Sequence, residues 1–326
     1  MTRIARRTIG PAAAVTRIAR RTIGLPALAV ALACLSPASA HAQATALAVE
    51  NPAPGIYVHY GQQAVASRAN AGDIANAGFI VGARCVAVVD TGGSYSVGRA
   101  LREAIRAVTA KPVCYVINTH MHPDHVFGNA AFAGDGAEFV GHARAPDALR
   151  RRGPNYLAAL KRDLGDAANG TQLVPPTRTI EGSASLDLGS RVLTLRSWPT
   201  AHTDADLTVF DETTRTLWLG DLAFTGHIPV VDGNLRGFLA AIAELRTMPA
   251  DRAIPGHGRA AAWPGALDAQ EAYLRRLQAD VRGAIKSGRT LAQAVATVGG
   301  DRRAWLLYDE FHKRNVSAAY AELEWE

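Results

Sequence analysis

Six consecutive residues, His120-Met121-His122-Pro123-Asp124-His125, carry three imidazoles and a carboxylate directly after the apolar run 113–117. A loop leaving a buried strand is held rigidly enough to present several metal ligands at once. His120 and His122 can turn to one cation only from an extended or looping backbone, because on a helix they would diverge by about 200°. Pro123 then fixes φ and ends the strand, which aims Asp124 and His125 elsewhere. Three more donors stand at the ends of later apolar runs: His202 in Thr200-Ala201-His202-Thr203, Asp221 after the run 217–220, and His257 between Gly256 and Gly258. Seven donors exceed the four of a closed structural zinc site and suffice for two ions with water between them. The two oxygens of Asp221 suit it to bridging. A set of imidazoles and carboxylates without thiolate suits zinc, and the chemistry it points to is two-metal hydrolysis.

Other residues have plainer readings. Asp90 opens the turn Asp90-Thr91-Gly92-Gly93 and fits an Asx turn as well as a place beside the donors. His227, six residues beyond Asp221, is a candidate wall of the substrate pocket. His142 reads as packed or exposed, Asp204 and Asp206 as strand-entry residues behind the donors, and His59 and His312 as ordinary. Trp305, Tyr308, Phe311 and Tyr320 read as helix packing.

To present such donors the chain needs strands that end near one another. Strands are predicted at 55–60, 79–82, 85–89, 113–117, 139–141, 191–196, 206–210, 216–219 and 252–254. Helices are predicted at 97–108, with Ser94 or Ser96 as N-cap, at 146–165 with an interruption at Gly153-Pro154, and at 235–247. The segment 170–185, rich in Pro, Thr and Ser, reads as a long surface loop, and the loops 166–185 and 225–234 are expected to wall the pocket. From 266 onward the pattern is helical. The strand–helix–strand spacing from 85 to 117 implies a right-handed parallel crossover. One α/β domain over 43–326, with a helical C-terminal segment at 265–326, is the expected organisation.

Residues 1–42 read as an export signal. Six arginines precede the apolar stretch 25–35, Ala38-Ser39-Ala40 or Ala40-His41-Ala42 offers a small-x-small cleavage pattern, and the nonapeptide at 2–10 recurs at 16–24. The stretch is too short to span a bilayer, so the expected location is periplasmic or secreted, through either general or twin-arginine export. The whole chain of 326 residues carries 35 basic and 29 acidic side chains. All six leader arginines fall in a segment without acids, so residues 43–326 balance at 29 of each. Nothing there supports nucleic-acid binding. Beyond the leader, Cys85 and Cys114 read as buried small apolar residues, with a disulfide as the alternative in an oxidising compartment.

The five motifs Asp90, His-x-His-x-Asp-His, His202, Asp221 and His257, in this order, resemble the metallo-β-lactamase superfamily over nearly all of residues 55–260. The resemblance implies a four-layer αβ/βα sandwich with two Zn2+ at the sheet edge. His120, His122 and His202 would hold the first ion, Asp124, His125 and His257 the second, and Asp221 would bridge, with Asp90 orienting the cluster. His122 stands where flavodiiron-type members carry Glu, which favours zinc over di-iron. The bridging Asp221 is more like the glyoxalase-II type than true β-lactamases, although the glyoxalase II C-terminal signature is absent. The stretches 201–207, 217–224, 229–233 and 315–326 are most similar to the quinoprotein relay system zinc metallohydrolases, found with quinoproteins and sulfur-oxidation systems.

On that footing the expected function is an exported zinc hydrolase. A metal-bridging hydroxide would attack the carbonyl of an ester, thioester, lactone or lactam, with Asp124 orienting the nucleophile and accepting its proton. The alternatives are a β-lactamase and a non-catalytic metal-binding accessory of a periplasmic quinoprotein or sulfur-oxidising partner.

Overall fold

A computed structural model describes residues 12–19 and 45–326. The expected leader, with its repeat and cleavage site, therefore lies outside the described residues except for 12–19, which form no regular element. Residues Gln43–Glu326 group as one compact unit, and among the described residues no helix is long and apolar enough to cross a membrane.

Alternation of apolar residues builds two sheets whose inner faces meet. The strands β1 (Glu50–Ala53), β2 (Ile56–His59), β3 (Ala77–Val81), β4 (Val86–Val89), β5 (Val113–Ile117), β6 (Glu138–His142) and β7 (Arg178–Ile180) form the first sheet in that order. Pairing is antiparallel from β1 to β4 and parallel from β4 to β7. The second sheet runs in the order β13 (Ala261–Ala262), β12 (Arg252–His257), β11 (Thr216–Phe224), β10 (Leu207–Asp211), β9 (Val192–Ser197), β8 (Ser183–Asp187). Ala87 and Val89 of β4 meet Leu193, Leu195, Val209 and Trp218 between the sheets. The residues interleaved with them, Val86 and Val88, pack outward on Leu101 and Ile105 of α1 (Tyr95–Val108). On the opposite outer face, Leu217 and Leu219 pack under Phe238 and Ile242 of α4 (Leu235–Leu245) and Leu274 of α5 (Asp268–Lys286). The result is the αβ/βα sandwich expected from the motifs. Its period-2 strands are buried on both faces because helices cover each sheet.

Ser94, not Ser96, caps α1, accepting from the Val97 amide. Two other expectations need correction. The segment 170–185 is no continuous loop: it contains β7 and the start of β8, whose polar residues hide the strand pattern while Ile180 and Leu186 face the core. Helix α3 (Ala145–Leu164) runs unbroken through Pro154. Burial of Leu149, Leu160 and Leu164 against Phe127 offsets the cost of a mid-helix proline, about 3 kcal/mol.

Cys85 and Cys114 form a disulfide rather than lying as free thiols, with Cα atoms 5.8 Å apart. Cys85 immediately precedes β4 and Cys114 lies in β5, where the pairing shifts register after Val86↔Val113. That shift brings the two residues together and cannot be read from either strand alone.

A buried ion pair ties β9 and β10 to the first sheet. Arg191 donates to Asp211 through Nε and Nη2 at 2.9 and 2.8 Å, and through Nη1 to the Val81 carbonyl at 3.0 Å. Burial raises the Asp211 carboxyl, but Arg191 and Thr214 outweigh that and hold it below its usual range. Its contribution is therefore complete above about pH 4, the unfolded carboxylate's range, and is lost as pH falls through the lower folded value. Arg191→Leu strands Asp211 as a buried charge and is expected to cost about 3–5 kcal/mol in urea unfolding near neutral pH. A loss under about 1 kcal/mol would show that this pair is not the tie described.

Candidate metal centre

Each donor is placed by an element that the sequence forces to stop. β5 ends at Ile117, and α2 (Pro123–Val126) begins where Pro123 occupies the first helical position. His120 and His122 thus leave on the loop, whereas Asp124 and His125 point from a helical turn. Asp221 corrects its expected setting: it lies inside β11, which continues to Phe224 through register shifts on either side of Gly220. Gly220 adopts φ +50, where a Cβ would meet Thr119, and a Cβ on Gly256 would fall 1.9 Å from Asp221 Oδ1. Gly256 thus gives the carboxylate its room, and Gly220 leaves space for the Thr119 side chain.

The seven predicted donors converge as two groups, His120, His122, His202 with Asp221, and Asp124, His125 with His257. His122 Nδ1 lies 3.1 Å from both His120 Nε2 and His202 Nε2. Asp221 Oδ2 stands 3.3 Å from His202 Nε2 and 3.8 Å from His120 Nε2. Its other oxygen, Oδ1, is 3.2 Å from His125 Nε2 and 3.5 Å from His257 Nε2. Asp124 Oδ2 completes the second group, 3.3 Å from His257 Nε2.

The opposite nitrogen of each ring is bonded to the protein. His125 Nδ1 donates to Asp90 Oδ2 at 2.8 Å, His202 Nδ1 to the Val230 carbonyl at 2.8 Å, and His257 Nδ1 to the Ile74 carbonyl at 2.9 Å. His120 Nδ1 bonds Thr119 Oγ1 at 3.1 Å, and His122 Nε2 donates to Asp232 at 3.1 Å. Five rings anchored on one side and convergent on the other is how a protein fixes imidazole tautomers for metal binding. His125 Nε2 and Asp221 Oδ1 are buried and have no hydrogen-bond partner. A buried carboxylate oxygen and ring nitrogen left so would cost about 1–3 kcal/mol each unless a cation satisfies them. The donor set fits two metal ions.

The electrostatics agree. Burial raises the Asp221 carboxyl, but His257 and His125 outweigh it and hold it far below its ordinary value. Burial lowers His257, yet Asp221 and Asp124 outweigh that and lift it to about 9. Burial outweighs the opposing pull of Asp221 on His202 and pushes that ring down to about 4.

Asp90 is more than a turn residue. With φ +54 it holds its carboxylate to accept from the Thr119 amide at 2.8 Å, the Thr119 hydroxyl at 2.7 Å and His125. Asp206 sits behind the donors, bonded to the Thr203 amide and hydroxyl, and burial pushes it up to about 7. Asp204 faces Arg151 instead, at 3.8 Å. His59 pairs with Asp73, His142 accepts from the Arg144 amide, and His312 bonds Tyr273, all away from the donors.

A cavity of about 260 Å³ rises over Asp124, His202, Asp221 and His257. His227 lines it, as expected: its Nδ1 donates to the Ile228 carbonyl, and burial together with His257 holds the ring near 4, so Nε2 is an acceptor. The segment 166–185 contributes nothing to the wall. Residues 64–66, Ile74, Tyr156 and, from α7 (Tyr308–Leu323), Phe311 and Arg314 do. Phe311 therefore lines the cavity besides packing its helix. Sequence reasoning also missed Asp232, which accepts from His122 and from Arg152 at 2.5 Å. Arg152 is hidden in the run Arg150-Arg151-Arg152, whose other members look like an ordinary solvated face.

The metallo-beta-lactamase superfamily profile matches residues 71–257. A linear primary-alkylsulfatase of Pseudomonas sp. (strain ATCC 19151) is 25% identical over 208 residues, 53% of this chain and 39% of the relative. The chain thus spans about two fifths of that protein's length. Among solved structures, the inverting sec-alkylsulfatase Pisa1 from Pseudomonas sp. superposes with a TM-score of 0.67 at 18% identity, over 85% of this chain and 50% of that one. A metallo-beta-lactamase from Pontibacter korlensis gives 0.55 at 17% identity, over 70% and 99%.

Proposed function

The chain belongs to the metallo-beta-lactamase superfamily, and on that footing we propose an exported zinc-dependent hydrolase that holds two ions and cuts an ester-type bond of a small substrate. The observation carrying this is the division of seven donors into two adjacent groups that share Asp221 beneath a cavity. His120, His122 and His202 would hold one ion, Asp124, His125 and His257 the other. Bound there, the ions polarise the scissile bond and acidify water.

The protein's own groups do the remaining work. Asp124 lines the cavity with its side chain 19% exposed, so it meets both donors and substrate. Its carboxylate orients the attacking water and takes the proton. His227 Nε2 accepts a hydrogen bond from the substrate, and Tyr156 borders the same space. Ester, thioester and lactone carbonyls fit this arrangement. The similarity to an alkylsulfatase favours a second reading, cleavage of a sulfate ester, in which the same residues act on sulfur instead of carbon. The leader pattern and the Cys85–Cys114 disulfide support export, and a periplasmic quinoprotein is the partner class this reading carries.

Chelation is expected to abolish turnover, and zinc to restore it at about two ions per chain. The measurement is metal analysis beside a screen of carboxylic ester, thioester, lactone, β-lactam and sulfate ester substrates. Full turnover with less than one metal per chain would defeat the two-ion reading. A zinc-loaded protein silent on the whole screen would favour the accessory role.

A further inference from the structure

We propose that Arg314 selects substrates carrying a negative charge of their own, apart from the bond that is cut. This deepens the hydrolase reading and rests on it. Arg314 lies on α7 one turn beyond Phe311, and both residues line the cavity over the donors. Its guanidinium carbon stands 5.5 Å from the Phe311 ring centroid, and among the described residues it forms no ion pair. Arg152, the other cation nearby, is already matched by Asp232 at 2.5 Å. Arg314 is thus the cavity's uncompensated cation among the described residues.

The helix holding it is fixed relative to the donors. Asn315, the next residue, is fully buried; its Nδ2 donates to the Pro229 carbonyl at 2.7 Å and its Oδ1 accepts from the Val231 amide at 3.0 Å. Those bonds bracket Val230, whose carbonyl accepts the hydrogen bond from His202 Nδ1. An exposed guanidinium on so anchored a helix samples the cavity mouth without drifting from it.

Charge and surface then define the ligand. Two divalent ions would bring four positive charges against the three negative ones of Asp90, Asp124 and Asp221, since Asp232 is matched. Arg314 adds to that excess. The adjoining wall from Ala64, Val65, Ala66, Ile74 and Phe311 is apolar. The cavity therefore suits an ester with a compact apolar body and a carboxylate or sulfonate at the end away from the scissile linkage.

The test uses the zinc-loaded full chain and two inert amides of equal size, 4-butyramidobenzoate and its neutral carboxamide counterpart, titrated by calorimetry. Arg314→Ala is expected to weaken the benzoate about 10-fold and the carboxamide less than about 2-fold, with Arg314→Lys retaining most of the difference. Equal loss for both ligands, or none for either, overturns the proposal. Hydrolysis of the parent ester, 4-butyryloxybenzoate, is followed in parallel. If zinc binds and the charge-selective loss appears while the ester stays intact, the hydrolase reading fails and the anion subsite stands.

Discussion

Asp221→Asn is expected to abolish turnover and lower zinc content from two ions towards one per chain. The carboxylate is 5% exposed and stands between both donor groups, Oδ2 towards His202 and His120, Oδ1 towards His125 and His257. Asparagine keeps the shape, so the space beside Gly256 stays filled. It removes the negative charge, however, and turns one of the two metal-facing oxygens into an amide that cannot ligate. The loss should exceed the roughly 10–100-fold typical of residues acting through a ligand. Metal analysis and kcat/KM decide it; a variant holding two ions with near-native rates would show that Asp221 does not bridge.

Asp90→Ala should give the next largest effect, a fall of about 10–100-fold in zinc affinity and in kcat/KM. One carboxylate serves three donors: the Thr119 amide, the Thr119 hydroxyl and His125 Nδ1. Thr119 in turn meets His120 Nδ1, so removal of Asp90 frees one ring from each donor group. Thr119→Val separates the routes, because it keeps the amide and the His125 bond. A merely structural part for Asp90 would lower the melting temperature but leave zinc affinity unchanged in the folded protein, as read by competition with a coloured chelator.

The donors are legible in the sequence because six of them follow β-rich runs, and three of those six, His122, Asp124 and His257, stand directly beside a proline or glycine. The seventh, Asp221, is legible as a donor but not as a strand residue, since Gly220 hides the continuation of β11. The sandwich follows from strands apolar on both faces. What cannot be read are relations set only by folding: the Cys85–Cys114 pairing, fixed by a register shift between β4 and β5, and the edge strand β7, whose polar residues look like a loop. Asp232, Arg152 and Arg314 are missed for the same reason. Each is an ordinary surface charge until α3, α7 and the 229–232 segment bring it to the cavity.

Both donor groups are divided along the chain. His120 and His122 follow the end of β5 and His202 and Asp221 come from the second half, while Asp124 and His125 wait for His257 at the end of β12. A nascent chain halted before residue 257 can therefore offer the second ion only an incomplete grip. Such a product would carry the first donor group whole, through Asp221, and only Asp124 and His125 of the second.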